Sequence, residues 1–322
     1  MIIWLLPNVF KEVNRHHLDT LRINAINNKA FLKFDIEDSE ISSWTSQNNK
    51  SDWEEIYRCW ISDATKFKQT NIAKVSGDIV NSDFNSDIPI LSLSDASTLI
   101  SMPCFLTFEN AHNDVEFIKC IVDRAARTLI DIKIDKAEIV TKGGGIGEVK
   151  NELRRQDNPL ILRFKMFVLT DSDCRTLDNP DREALNIVSL CNERRVIHHT
   201  LRRRMIENYF PLELLYRNTP KERLPDTDVF KKVKAFKTLS LEQRFCMHLK
   251  TGLERDDLHA NIYDDLETET KNLLLQGFKG LGEKFSDRDL QPLIHGLIHS
   301  EKECDEVNNL ACKVKEYIRT PA

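Results

Sequence analysis

The stretch FVLTDSDCR, residues 167–175, runs from apolar residues straight into two carboxylates, Asp171 and Asp173. A second apolar run, CFLTFE at 104–109, ends on Glu109 and is followed by NAHND. A third, AEIVTK at 137–142, gives way to GGGIG. If the three are strands of one parallel sheet, their following turns open on the same edge, where α/β proteins bind ligands. Glu109, Asp171 and Asp173 then meet, and three gathered carboxylates repel one another unless a cation lies among them. Hard oxygen ligands in such a cluster suit Mg²⁺ or Mn²⁺.

The intervening segments supply the scaffold. DVEFIKCIVDRAAR (114–127), EVKNELRRQ (148–156) and DREALNIVSLCNE (181–193) carry apolar residues at helical spacing. FKMFVLTD (164–171) reads as a buried strand and RVIHHTL (195–201) as another. Strands alternating with helices predict an α/β fold, a parallel sheet flanked by helices. Residues 1–98 read as a separate α+β module. Its signals are a strand-like alternation in AFLKFDIE (30–37), a capped helix in SDWEEIYRCWISDATKF (51–67) and a polar loop at 80–89. The sheet region spans 99–255 and a helical C-terminal region 256–322, with helical runs expected near 228–236, 240–249, 267–276 and 286–318. No internal repeat is evident.

Eight cysteines without a CxxC pair fit reduced thiols rather than a disulfide framework or a zinc site. The opening MIIWLLP is too short for a membrane span or a signal segment. A cytoplasmic protein without a membrane partner is the expectation. The net charge of −5 is unevenly spread: residues 190–250 hold 14 basic against 7 acidic side chains. A positive segment just beyond the DSD pair suits a polyanion approaching a metal site.

The order of these pieces resembles the topoisomerase–primase (TOPRIM) domain: a strand ending in Glu109 with Asp114 in the next helix, a glycine-rich strand end, then a hydrophobic run into Asp171-Ser-Asp173. HHTLRRRMIENYFP (198–211) is similar to the arginine-rich, Glu-Asn-Tyr segment of TOPRIM nucleases related to the OLD family, and HLKTGL (248–253) to their downstream lysine motif. The resemblance covers roughly residues 100–255. It departs at ENAHND, where Asn110 stands at the usual glycine and the acid comes five residues after Glu109 rather than four. Asn113 holds the usual offset, but Asp114 precedes the apolar Phe117 and Ile118, as one inserted turn residue would give. Asn110 suits a left-handed turn better than most residues.

The resemblance implies a Mg²⁺- or Mn²⁺-dependent endonuclease cutting phosphodiester bonds of DNA or RNA. Glu109, Asp114, Asp171 and Asp173 would hold metal, with Glu109 doubling as general base and Lys250 stabilising charge on the phosphate. Arg202, Arg203, Arg204 and Lys142 would contact nucleic acid, while Gly143 and Gly144, in the Gly143–Gly145 turn, and Glu207 would support the site, the glycines by letting backbone approach a phosphate or the metal loop. By analogy with split anti-phage systems of the PARIS type, the partners implied are nucleic acid (DNA, tRNA or another RNA) and a separately encoded ABC- or AAA-type ATPase, since the chain has no Walker A loop; a homo-oligomer stays open. The alternative is a catalytically inactive TOPRIM-like binding or regulatory subunit of an ATPase complex.

Other patterns carry less. GGGIGEVK lacks the glycine before lysine and the Ser or Thr after it that a P-loop requires. His295 and His299 of HGLIH have no acid between them and read as helix histidines. GFKGLG (277–282) follows no convincing strand, so a dinucleotide fingerprint is not expected. Haloacid-dehalogenase phosphatases also end a strand in DxD, but with Thr where this chain has Arg175. A topoisomerase-type strand breaker needs a tyrosine on a DNA-binding domain, and none of the five tyrosines has that context.

Overall fold

The computed structural model describes residues 2–27, 29–64, 72–217, 228–255, 261–301 and 304–319. It is an α/β structure with two four-stranded parallel sheets flanked by helices. The first holds β1 (Ile2–Leu5), β2 (Phe31–Lys33), β3 (Ile72–Ser76) and β4 (Ile90–Ser92) in the order β2-β1-β3-β4. The second holds β5 (Cys104–Thr107), β6 (Ile139–Lys142), β7 (Met166–Thr170) and β8 (Ile197–Thr200) in the order β6-β5-β7-β8.

The N-terminal module is thus α/β rather than α+β. The apolar opening of the chain, read only as too short for a membrane span or a signal segment, supplies β1, one of the two inner strands, with Ile3 and Leu5 fully buried. The alternation at 30–37 gives only three residues of strand before a turn and the helix Ser39–Gln47, whose N-cap Asp38 accepts from the amides of Glu40 and Ile41. The helix read at 51–67 is Lys50–Ala64, and 65–67 lies outside the described residues. Both sheets order their strands second, first, third, fourth in chain sequence, a repeated topology without a repeated sequence. Burial of one apolar face needs only residue class, so topology persists where identities do not.

β7 is buried at every position, as a continuous apolar run in the middle of a parallel sheet demands. It starts later than its sequence suggested, because Ile161–Lys165 form a short π-helix. Phe164 there, with Leu160 just before, inserts into the core of the first module. Arg163 donates to the carbonyls of Phe84, Ser86 and Asp87, and Arg195 to that of Asn85. The polar loop at 80–89 is therefore the seam between the two sheets. The helix expected over 114–127 is two, Ala111–Ile121 and Arg124–Asp135. Val122 turns extended between them, and Asp123 caps the second by accepting from the Ala126 amide. Beyond residue 211 the described chain is helical, and the run near 286–318 divides into Gln291–Ser300 and Asp305–Arg319, with 302–303 outside the described residues. No helix among the described residues is long and apolar enough to cross a membrane.

Candidate functional site

In the second sheet the strand order reverses between β5 and β7, where an open parallel sheet leaves its ligand crevice. The chain leaving β5 is held by Phe108 N–H donating to Lys142 O at 2.9 Å, which aims Glu109 across this gap. Its Oε1 accepts from the backbone amide of Asp171 at 3.1 Å. Asp171 Oδ1 in turn accepts from the Ile206 amide at 3.2 Å. The acids at the ends of β5 and β7 therefore meet at one edge.

Asp114, rather than Asn113, completes the first turn. It is buried, and its Oδ2 accepts from the Asn110 amide at 2.9 Å. Asn110 is not left-handed; with φ −124° it is the N-cap of the helix Ala111–Ile121, its side chain accepting from the Asn113 amide. The glycine turn also has a different task from cradling a phosphate. The amides of Gly144 and Gly145 both donate to Glu109 O, at 3.2 and 2.8 Å. A Cβ on Gly143 would stand 2.5 Å from Ala111 N, so the turn must be bare to pack against the acid-bearing one.

In the DSD turn Asp173 adopts φ +47°, a left-handed conformation unusual for a residue with a Cβ. Its amide donates to Arg204 O, and Ser172 Oγ donates to Arg203 O, so the 202–204 backbone runs along this turn. That segment then delivers Glu207, which is fully buried. Lys250 Nζ forms an ion pair with Glu207 Oε1 at 3.2 Å, and half of the lysine side chain remains exposed.

The electrostatics follow from crowding. Burial, then Asp173, pushes the Glu109 carboxyl up to about 7 against the opposing Asp171 amide. Burial, reinforced by Glu207, pushes Asp114 up to about 7. Burial and the charges of Glu109, Asp114, Glu207 and Asp173 hold Asp171 well above the usual carboxylate range. Burial works against the Lys250 ammonium, but Glu207, Asp171 and Asp114 more than offset it, so its pKa is raised. Lys250 faces four of these acids, Glu109, Asp114, Asp171 and Glu207.

No group of three or more His, Cys, Asp or Glu among the described residues already stands in metal-holding geometry. The chemistry of the donor set nonetheless fits a hard divalent cation. It is all oxygen, it is in electrostatic conflict, and it includes the fully buried Glu207, whose Oε2 has no hydrogen-bond partner among the described residues, which a native interior rarely tolerates. Glu109, Asp171 and Asp173 would hold such an ion, with Asp114 and Glu207 beside them.

The basic residues fare differently. Arg203 and Arg204 are buried and build the fold instead of facing solvent. Arg203 stacks between Tyr209 and Phe245, at 4.5 and 4.0 Å, and binds Asn208 O and Glu301; Arg204 donates to Cys246 O. A guanidinium fork is as well suited to carbonyls under a loop as to phosphates, and sequence does not separate the two uses. Arg202 is exposed but paired with Asp178. Lys142 pairs with Glu152 and lies over Phe105. His295 and His299 engage the carbonyls of Cys120 and Ile121, as helix histidines do.

Three further positions are integral to the site. Asn208 donates to Arg244 O at 2.8 Å and Met247 O at 3.0 Å, and accepts from the Met205 amide, pinning the segment that leads into Lys250. Gly277 and Gly282 belong to GFKGLG. A Cβ on Gly277 would sit 2.1 Å from Leu249 O and 2.5 Å from Lys250 C; one on Gly282 would sit 2.8 Å from Glu207 Oε1. The glycines, set aside as a nucleotide fingerprint, instead let this loop wall the carboxylate cluster.

Two expectations follow. Asn208→Ala leaves a buried and a part-buried carbonyl and an amide without this partner, and should cost about 2–4 kcal/mol in urea unfolding. The pH dependence has a definite sign. Glu109 and Asp114 bind protons more tightly folded than unfolded, so between about pH 4.5 and 7 the folded state holds more protons and stability falls as pH rises. In EDTA the thermal midpoint should be higher at about pH 5.5 than at about pH 8, by the equivalent of ~2–3 kcal/mol.

No family model, curated protein or solved structure matches the chain.

Proposed function

We propose that this chain is a divalent-metal-dependent endonuclease of the TOPRIM type, hydrolysing phosphodiester bonds of DNA or RNA. The observation that carries the reading is the 3.1 Å contact between Glu109 Oε1 and the Asp171 amide, which joins the acids of two strand ends at one sheet edge. A resident Mg²⁺ or Mn²⁺ would lower the pKa of water and offset charge on the phosphate. Glu109, with a proton affinity near neutrality, suits a general base, and its Oε2 is the oxygen not engaged by Asp171. Lys250, half-exposed and facing the acids, is positioned to bind a phosphate oxygen as negative charge develops. Asp171 and Asp173 would hold such a cation through their carboxylate oxygens.

The resemblance adds a prokaryotic anti-phage setting and a separately encoded ATPase to the proposal; co-purification with the product of a neighbouring ATPase gene tests that part. The nuclease itself is tested by incubating the protein with plasmid, single-stranded DNA and tRNA in Mn²⁺, with and without the ATPase. Cleavage is expected, and its loss in Glu109→Gln. If the wild type binds nucleic acid yet cuts none of the three under either condition, the inactive binding-subunit reading replaces this one.

A further inference from the structure

The loop 277–282 has two flanks. One walls the acids, through Gly277 against the Leu249–Lys250 backbone and Gly282 against Asn113 and Glu207. The other forms part of a groove of about 270 Å³, with Val233, Phe278 and Leu281 in its floor and Lys232, Lys279 and Lys284 around it. Lys232 Nζ donates to Gly277 O at 3.2 Å, so the rim is tied to the loop. No ion pair or hydrogen bond joins the side chains of Lys279 or Lys284 to another described residue, and Lys279 is exposed at the loop tip. The acidic side chain of the turn, Glu283, folds back beside Gly280. The helix forming the opposite wall, Asp228–Thr238, carries four lysines and belongs to the positive stretch of the chain, so one wall of the groove is drawn from it.

We infer that this groove holds a single strand of nucleic acid and leads it to the carboxylate cluster, an inference that rests on the nuclease reading above. Three lysine ammonium groups around an apolar lining, in which Val229 is exposed and Phe278 largely buried, complement a strand that offers phosphates on one side and sugar and base faces on the other. A duplex shields its base faces and has no use for such a floor. Groove and acids flank one six-residue loop, which spans at most about 20 Å even fully extended. A strand lying in the groove is therefore held within about 20 Å of the acids.

The test is fluorescence anisotropy in EDTA, so that cleavage does not interfere, with labelled oligo-dT, oligo-U and a mixed-sequence duplex, for wild type and Lys279→Glu/Lys284→Glu. Both lysines are on the surface, and an unchanged melting temperature will verify the fold; Lys279→Gln/Lys284→Gln serves if the charge reversal misfolds. The expected result is that wild type prefers the single strands, dT or U alike. The variant should bind them at least tenfold more weakly, with a log affinity–log salt slope shallower by about 1.4. Wild-type binding that the variant retains, or a wild-type preference for duplex, overturns the groove while leaving the nuclease reading intact. Wild type binding no probe overturns both.

Discussion

Glu109→Gln should make the metal-free protein more stable and, at the same time, useless as a nuclease. The glutamine amide keeps an oxygen for the Asp171 amide at the 3.1 Å contact but removes a charge that its surroundings oppose. Burial and Asp173 push that carboxyl from 4.5 up to about 7, so near pH 8 the folded state carries a penalty of up to ~3 kcal/mol. Part of it is shared with Asp114, which leaves a gain of about 1–2 kcal/mol, or a few degrees in a thermal melt. Cleavage in Mn²⁺ should fall by at least about 100-fold, as loss of a ligand and base demands. The opposite signs are diagnostic. A carboxylate that serves only structure loses stability when neutralised, whereas one kept in a repulsive cluster for the sake of a cation gains it. Differential scanning fluorimetry in EDTA beside a plasmid-nicking assay reads both.

Gly277→Val is expected to be among the most damaging single changes in the chain. Its Cβ would meet Leu249 O at 2.1 Å and Lys250 C at 2.5 Å, and both are backbone atoms that cannot rotate away. Phe278 N–H donates to the same Leu249 carbonyl at 2.6 Å, so the loop cannot retreat without losing that bond. Overpacking of this kind costs on the order of 3 kcal/mol or more. Any relief by shifting the turn at 249–250 moves Lys250 away from Glu207, so surviving protein should also lose at least tenfold in cleavage rate. Gly147→Ala is the matching control. It lies in the helix Ile146–Arg155 with nothing within 4 Å of its added Cβ, and should stabilise by ~0.5–1 kcal/mol in chemical unfolding.

The second sheet and its acids were legible because their signals are local. An apolar run that stops on a charge marks both a buried strand and its exposed end, so β5, β7, Glu109 and Asp171 followed from a few residues each. Asp114 was legible from the apolar Phe117 and Ile118 behind it, which fix the face of the helix. The first module was less legible, because two of its strands are only three residues long and an inner one lies in the apolar opening IIWLL, which shows no alternation. Arg203 and Arg204 misled for a physical reason. Whether a guanidinium meets a phosphate or the underside of a loop depends on what the chain brings over it, here Phe245, Tyr209 and Glu301 from distant segments. GFKGLG misled in the other direction. Its glycines are required by close approach to residues some 30 and 75 positions away, which no local pattern announces.

The convergence of Glu109 and Asp171 on one divalent cation is tested most directly by titrating Mn²⁺ into metal-free protein and following free Mn²⁺ by electron paramagnetic resonance at about pH 8. The wild type should take up Mn²⁺ at a defined site, with affinity lowered at least tenfold in Asp171→Asn and in Glu109→Gln. Wild-type protein that leaves Mn²⁺ in solution, or variants that bind it as the wild type does, would contradict the account.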